Sequence, residues 1–116
     1  MAKGVSEAEA DAALETLRRV GAIDDDRFAR TAAEALAARG FGDSAIVLRL
    51  QREGIARETG QQAVSRLRPE AERAAALVVP TSSARTARRL SARGFSADSV
   101  EQVLASVAEA DAAELG

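Results

Sequence analysis

The sequence predicts an all-α protein of tandem three-helix repeats, an elongated or right-handed stack of helix-turn-helix-like units whose first repeat is incomplete. Three observations predict it. Strong helix formers (Ala, Leu, Arg and Glu) fill long stretches interrupted by only two prolines, Pro69 and Pro80. A helix-ending pattern, Leu-x-x-x-Gly-apolar, occurs over residues 36–41, 50–55 and 90–95, with a looser relative at Leu17, Gly21 and Ile23. One amphipathic helix also recurs at fixed offsets along the chain.

The ending pattern has a physical reading. Glycine just past a helix adopts the left-handed conformation without a Cβ clash, and the apolar residue after it packs on the Leu four positions before the Gly. Gly40, Gly54 and Gly94 fit this role. A shift of 40 residues pairs Leu50, Gly54, Ile55, Ala63, Val64 and Leu67 with Leu90, Gly94, Phe95, Val103, Leu104 and Val107. A shift of 50 pairs Gly54, Ile55, Ala63, Val64 and Leu67 with Gly4, Val5, Ala13, Leu14 and Leu17. Three copies of one helix are therefore expected, over about 6–19, 57–67 and 97–108, each with a single apolar stripe.

The elements follow in order. The first copy opens on Ser6 and Glu9, the spacing of a capping box. A second helix is expected over 25–39, its start marked by the acidic run Asp24, Asp25 and Asp26, which suits free N–H groups and the helix dipole. Helices at 43–53 and 57–67 complete this unit; the latter carries Gly60 where an apolar residue is expected. Helices at 70–79, 83–93 and 97–108 form the next, with Pro80 and Ser82 marking a break and Ser96 as an N-cap. The chain thus divides into 1–23, the remnant of a first repeat, 24–68 and 69–108, two complete repeats, and an acidic tail at 109–116.

Composition narrows the function. The 116 residues allow one domain or a short stack, with a core of Ala, Leu and Val, because the aromatics are only Phe28, Phe41 and Phe95. There is no Cys, no apolar leader, and the longest apolar run, 74–79, is far too short to span a membrane; a soluble cytoplasmic protein is expected. With no His, Cys, Tyr or Trp, no facing carboxylate pair and no phosphate loop, a binding protein is expected over an enzyme, without cofactor or metal. The net charge is −2, yet residues 27–68 carry +4 and 69–97 carry +3 between acidic ends of −4 and −5. The middle is basic.

Residues 23–30 (Ile-Asp-Asp-Asp-Arg-Phe-Ala-Arg), then Arg39-Gly40-Phe41-Gly42, Leu50-Gln-Arg-Glu-Gly54-Ile55 and Leu90-Ser-Ala-Arg-Gly94-Phe95-Ser96, resemble in order and spacing the RecX family of recombination regulators. The resemblance covers about residues 4–108. It implies tandem three-helix repeats that bind the RecA recombinase filament along its groove and restrain its ATPase, strand exchange and SOS activity. It also implies two helices ahead of the first copy, and basic residues in 74–83 that this sequence lacks.

Arg85, Arg88, Arg89 and Arg93, at spacings of three and four, share one helical face with no acidic neighbour one turn away. Arg49 with Arg52, and Arg27 with Arg30, form smaller pairs. A solvated surface and a partner-binding surface are both open readings of these faces. Asp24, Asp25, Phe28, Gly40, Gly54, Gly94 and Phe95 are read as mainly structural motif residues, with Phe28 in the core. The expected partner is the recombinase filament, with weak DNA contact at most; a helix-turn-helix-like nucleic-acid-binding module is the alternative. The first helix keeps a stripe at Leu14 and Leu17 that must pack on the second unit or on another chain.

Overall fold

The structure is a computed structural model that describes residues 7–115, with side chains over 8–113. These residues form six helices: α1 (Glu7–Ala38), α2 (Asp43–Arg52), α3 (Arg57–Ser65), α4 (Glu70–Ala75), α5 (Ser83–Ala92) and α6 (Ala97–Leu115). No strand occurs among the described residues, so the protein is all-α.

The three strict glycine patterns end α1, α2 and α5. Gly40, Gly54 and Gly94 have φ of 90°, 91° and 87°, in the region open to a residue without Cβ. In each case the residue after the glycine donates its N–H back to the Leu carbonyl: Phe41 to Leu36 at 3.1 Å, Ile55 to Leu50 at 2.9 Å and Phe95 to Leu90 at 3.0 Å. The glycine N–H groups reach Ala37, Gln51 and Ser91, completing the Schellman arrangement. At α6, the Ser99 N–H donates to Ser96 Oγ at 3.2 Å, the N-cap expected there.

Two cores follow. The C-terminal half of α1 packs with α2 and α3 around Ala29, Ala33, Ile46, Leu50, Ile55 and Ala63. Helices α4, α5 and α6 pack around Ala74, Leu90, Phe95, Val100 and Val103. Leu50 and Leu90, equivalent under the 40-residue shift, are both fully enclosed. Each is also the carbonyl that accepts the cap hydrogen bond. The same residue therefore closes its helix and anchors its core. Gly60 is buried because α3 lies directly on α2: a Cβ there would meet Leu50 Cδ1 and Val47 Cγ1 at 3.6 Å.

Several expectations are corrected. The helices at 6–19 and 25–39 are one continuous helix, so the boundary at 23/24 falls inside α1. Gly21 does not have positive φ. Asp24, Asp25 and Asp26 consequently sit mid-helix and cap nothing. Phe28 is not core; it is half-exposed, because the buried face of α1 runs through Ala29 and Ala33 and places residue 28 to one side. Helix α4 stops at Ala75, with a turn from Leu77 N–H to Ala74 O at 2.9 Å. The acidic tail continues α6 as far as Leu115. Ser6 of the expected capping box lies outside the described residues. Leu14, Leu17, Val20 and Ile23 are each at least half-exposed, so the first stripe does not pack on the second unit. The molecule is a rod of 86 × 21 × 19 Å; α1 alone, with 32 residues, spans about 48 Å of helix at its ordinary rise.

Candidate functional site

Helix α5 is set by its N-cap and its buried side. Ser82 Oγ accepts the Arg85 N–H at 3.1 Å. Thr86 and Leu90 are buried and Ala87 half-buried, and the Thr86 hydroxyl donates to the Ser82 and Val79 carbonyls and accepts the Val79 N–H at 2.8 Å. That network holds the 76–82 turn against α5. Arg85, Arg88 and Arg89 fall on the opposite face and are exposed. Helix α5 contains no acidic residue. Among the described residues Arg18 pairs with Glu15 and Arg73 with Asp43, and no ion pair neutralises any of the three arginines of α5.

Arg93, expected on the same face, is drawn elsewhere. It follows the last turn of α5, and its Nη1 donates to the Arg39 carbonyl at 2.9 Å and to the Gly40 carbonyl at 3.5 Å. A cation is favoured at that end of α1 by the helix dipole and the free carbonyls. Arg93 is thus a helix-end ligand, and the free stripe is three arginines wide.

In the unit of α1, α2 and α3, the first of the two three-helix units in the structure (α4, α5 and α6 being the second), Arg27 and Arg30 are exposed on α1 and Arg49 and Arg52 on α2. The Arg49 guanidinium lies 4.2 Å from the Phe41 ring centroid, and those of Arg39 and Arg93 lie 5.5 and 5.8 Å away, within cation–π range. Arg49 and Arg93, from different units, therefore meet at one ring. Arg49 and Arg52 also rim an open groove of about 470 Å³ lined by Phe28, Ala32, Ala35 and Leu36. Phe28 thus belongs to a surface groove beside the cations.

Two residues that sequence reasoning passed over complete the picture: Glu70 and Arg73. Glu70 accepts hydrogen bonds from backbone and hydroxyl groups of α2 and of the α6 start. Burial opposes its charge, but the Ser99, Ser96 and Asp43 donors outweigh burial and hold its carboxyl below the ordinary range. Asp43 behaves oppositely: burial, with the Glu70 charge adding to it, pushes its carboxyl up against the pull of Arg73. Arg73 is mostly buried, pairs with Asp43 and donates to the Phe41 carbonyl at 3.3 Å. An acidic residue just after Pro69 was the only sequence signal for this node.

Comparisons of the chain with protein-family models, with curated proteins and with solved structures find no match. Among the described residues no helix is long and apolar enough to cross a membrane, and no group of three or more His, Cys, Asp or Glu side chains could hold a metal ion. What the surface offers is guanidinium groups, each a planar fork of donors for carboxylate or phosphate oxygens.

Proposed function

We propose that this chain is a cytoplasmic regulatory protein of the RecX type, which binds a RecA recombinase filament through its arginine faces and restrains ATP hydrolysis and strand exchange without catalysing a reaction. The observation that carries the reading is the Arg85, Arg88 and Arg89 stripe, exposed and without an ion-pair partner on a helix free of acid, in a chain whose motif order resembles that family. Stacked units offer a surface that repeats along the molecule, which suits a periodic partner. In a DNA-dependent ATPase assay with the cognate recombinase, the protein should lower the rate. Arg85→Glu with Arg89→Glu should relieve that inhibition. An unchanged rate with the parent protein sinks the reading.

A second reading, a stand-alone nucleic-acid-binding module, draws on the same stripe, because α5 is a basic second helix in a three-helix unit. Direct phosphate binding releases counterions and falls steeply with salt. We expect weak binding of bare DNA at physiological salt, and a strong gel shift there would favour the module. Self-association through Leu14, Leu17 and Val20 belongs to the same proposal; sedimentation as a concentration-independent monomer would remove it.

A further inference from the structure

Packing inside each three-helix unit is apolar, but the two cores share no residue. The units meet mainly along a short strip of backbone, with the Leu77 side chain of the second lying close to Gly40 at the end of α1. The Gly42 N–H donates to the Arg93 carbonyl at 2.7 Å and the Ser44 N–H to the Gly94 carbonyl at 3.3 Å. The approach is so close that a Cβ on Gly42 would stand 2.5 Å from Gly94 C and O, and one on Gly94 2.5 Å from Ala45 Cβ.

One carboxylate bridges this strip. Glu70 Oε2 accepts the Asp43 N–H at 2.7 Å, in the first turn of α2. Its Oε1 accepts the Ser96 N–H at 3.0 Å and the hydroxyls of Ser96 and Ser99 at 2.8 and 2.6 Å, in the first turn of α6. A single anion thus satisfies free donors at the N-terminal ends of two helices in different units, where charge and dipole favour it. Arg73, on the same helix as Glu70, ties back to Asp43 and to the Phe41 carbonyl. Arg93 fastens the other side, through the Arg39 and Gly40 carbonyls.

We infer that Glu70, supported by Arg73, is a positioning residue that locks the two three-helix units at one relative angle, so that the arginines of α1 and α2 and those of α5 form a single two-part docking surface of set spacing. The lock stands on the hydrogen bonds themselves; its consequence for docking rests on the proposed function. Because the bridge is polar and the cores are separate, breaking it frees the units to turn about residues 66–69 while each stays folded.

The chain has no cysteine, so spin labels can be placed at will. Glu34→Cys on α1 with Glu101→Cys on α6, both exposed, reports the angle between units. Glu34→Cys with Gln61→Cys on α3 reports the first unit alone. In Glu70→Ala the first distance distribution should broaden about two-fold, while the second and the far-ultraviolet helix signal stay as in the parent, since separately cored units open without unfolding. An unchanged distribution overturns the lock, and so does broadening accompanied by loss of helix. Glu70→Gln, which keeps the length of the side chain but replaces one acceptor oxygen and removes the charge, should broaden the same distance by less; it decides the matter should Glu70→Ala fail to fold, and an unchanged distance in it counts against the lock.

In the ATPase assay, Glu70→Ala should need about ten-fold more protein for half-inhibition, as expected when two linked contacts lose their fixed spacing. A variant with a broadened distance and full potency overturns the positioning role. A parent that does not inhibit at all is instead a failure of the proposed function, and the label distances still decide the lock.

Discussion

Two stretches of the chain behave differently, although each follows an expected copy of the same amphipathic helix. After α3 the chain breaks at Arg68-Pro69: proline has no N–H to continue the ladder, and the residue before it is pushed out of helical conformation. Pro69 takes ψ 140° and α4 starts anew, which carries Glu70 to the joint between the units. After the first copy, at residues 19–26, there is no proline. Gly21 is followed by Ala22, and the larger Ile23 comes one position too late to pack on Leu17 as the ending pattern requires. Helix α1 therefore runs straight on. A glycine inside a helix costs about 1 kcal/mol, which is too little to end one; ending it takes a proline or an apolar residue in register.

Among substitutions, the largest effects belong to the cores. Leu90→Ala should destabilise α4 to α6 by about 2–5 kcal/mol through the cavity it leaves. Hydrogen exchange should show that loss in the second unit with the first still protected. Leu50→Ala should give the reverse, and loss of protection in both units from either change would show that the cores are not separate.

Ala22→Pro probes the straight junction. It should break α1 next to Gly21 at a local cost of about 3 kcal/mol, lowering the circular dichroism helix signal. Because the exposed stretch before it contributes nothing to the buried set, the melting temperature of the first unit should hardly move; a large drop would mean that the stretch supports the core.

Two glycines separate strain from packing. Gly54, at φ 91° with no atom within 4 Å of a Cβ, should lose about 1–2 kcal/mol on mutation to Ala from backbone strain alone. Gly60, helical and with room for a methyl group, should gain up to about 1 kcal/mol as Gly60→Ala. Chemical denaturation of both variants checks the signs.

The smallest effect is on pH. Glu70 has a folded pKa below its ordinary 4.5, so the unfolded state binds the proton more readily. Its contribution is present above that value and fades as the pH falls through the lower, folded one. Asp43, shifted up, contributes in the opposite sense: what it adds is present in acid and is lost as the pH rises through its folded value. Acid denaturation of Glu70→Gln should show a shallower loss of stability below pH 4.5 than the parent; an identical slope would mean that the Glu70 bridge does not hold in solution.

Much of the fold was legible where the signal was local. The caps at Gly40, Gly54 and Gly94 were read from six-residue patterns, and the α5 stripe from spacings of three and four. The fusion of α1 is not legible in the sequence, because an acidic run after a glycine looks like a new helix start, while carboxylates such as Asp24 and Asp25 sit equally well on an exposed face inside a helix. The chemical type of Phe28 points to the core, yet its angular position on α1, to one side of the buried Ala29, leaves it half-exposed. Arg93 carries the right spacing for the stripe but lies at the helix end, within reach of carbonyls on α1 that no spacing rule reveals.

The helical class, three of the helix ends and the density of positive charge on α5 each depend on residues within one or two turns of one another, so the order of the amino acids suffices to set them. The tertiary structure decided which cations stay free and what joins the units. Glu70 meets Ser96 across 26 residues and Arg93 meets Arg39 across 54; such contacts depend on the path of the backbone between the partners, and that path turns on Pro69 and on the room left by Gly42 and Gly94.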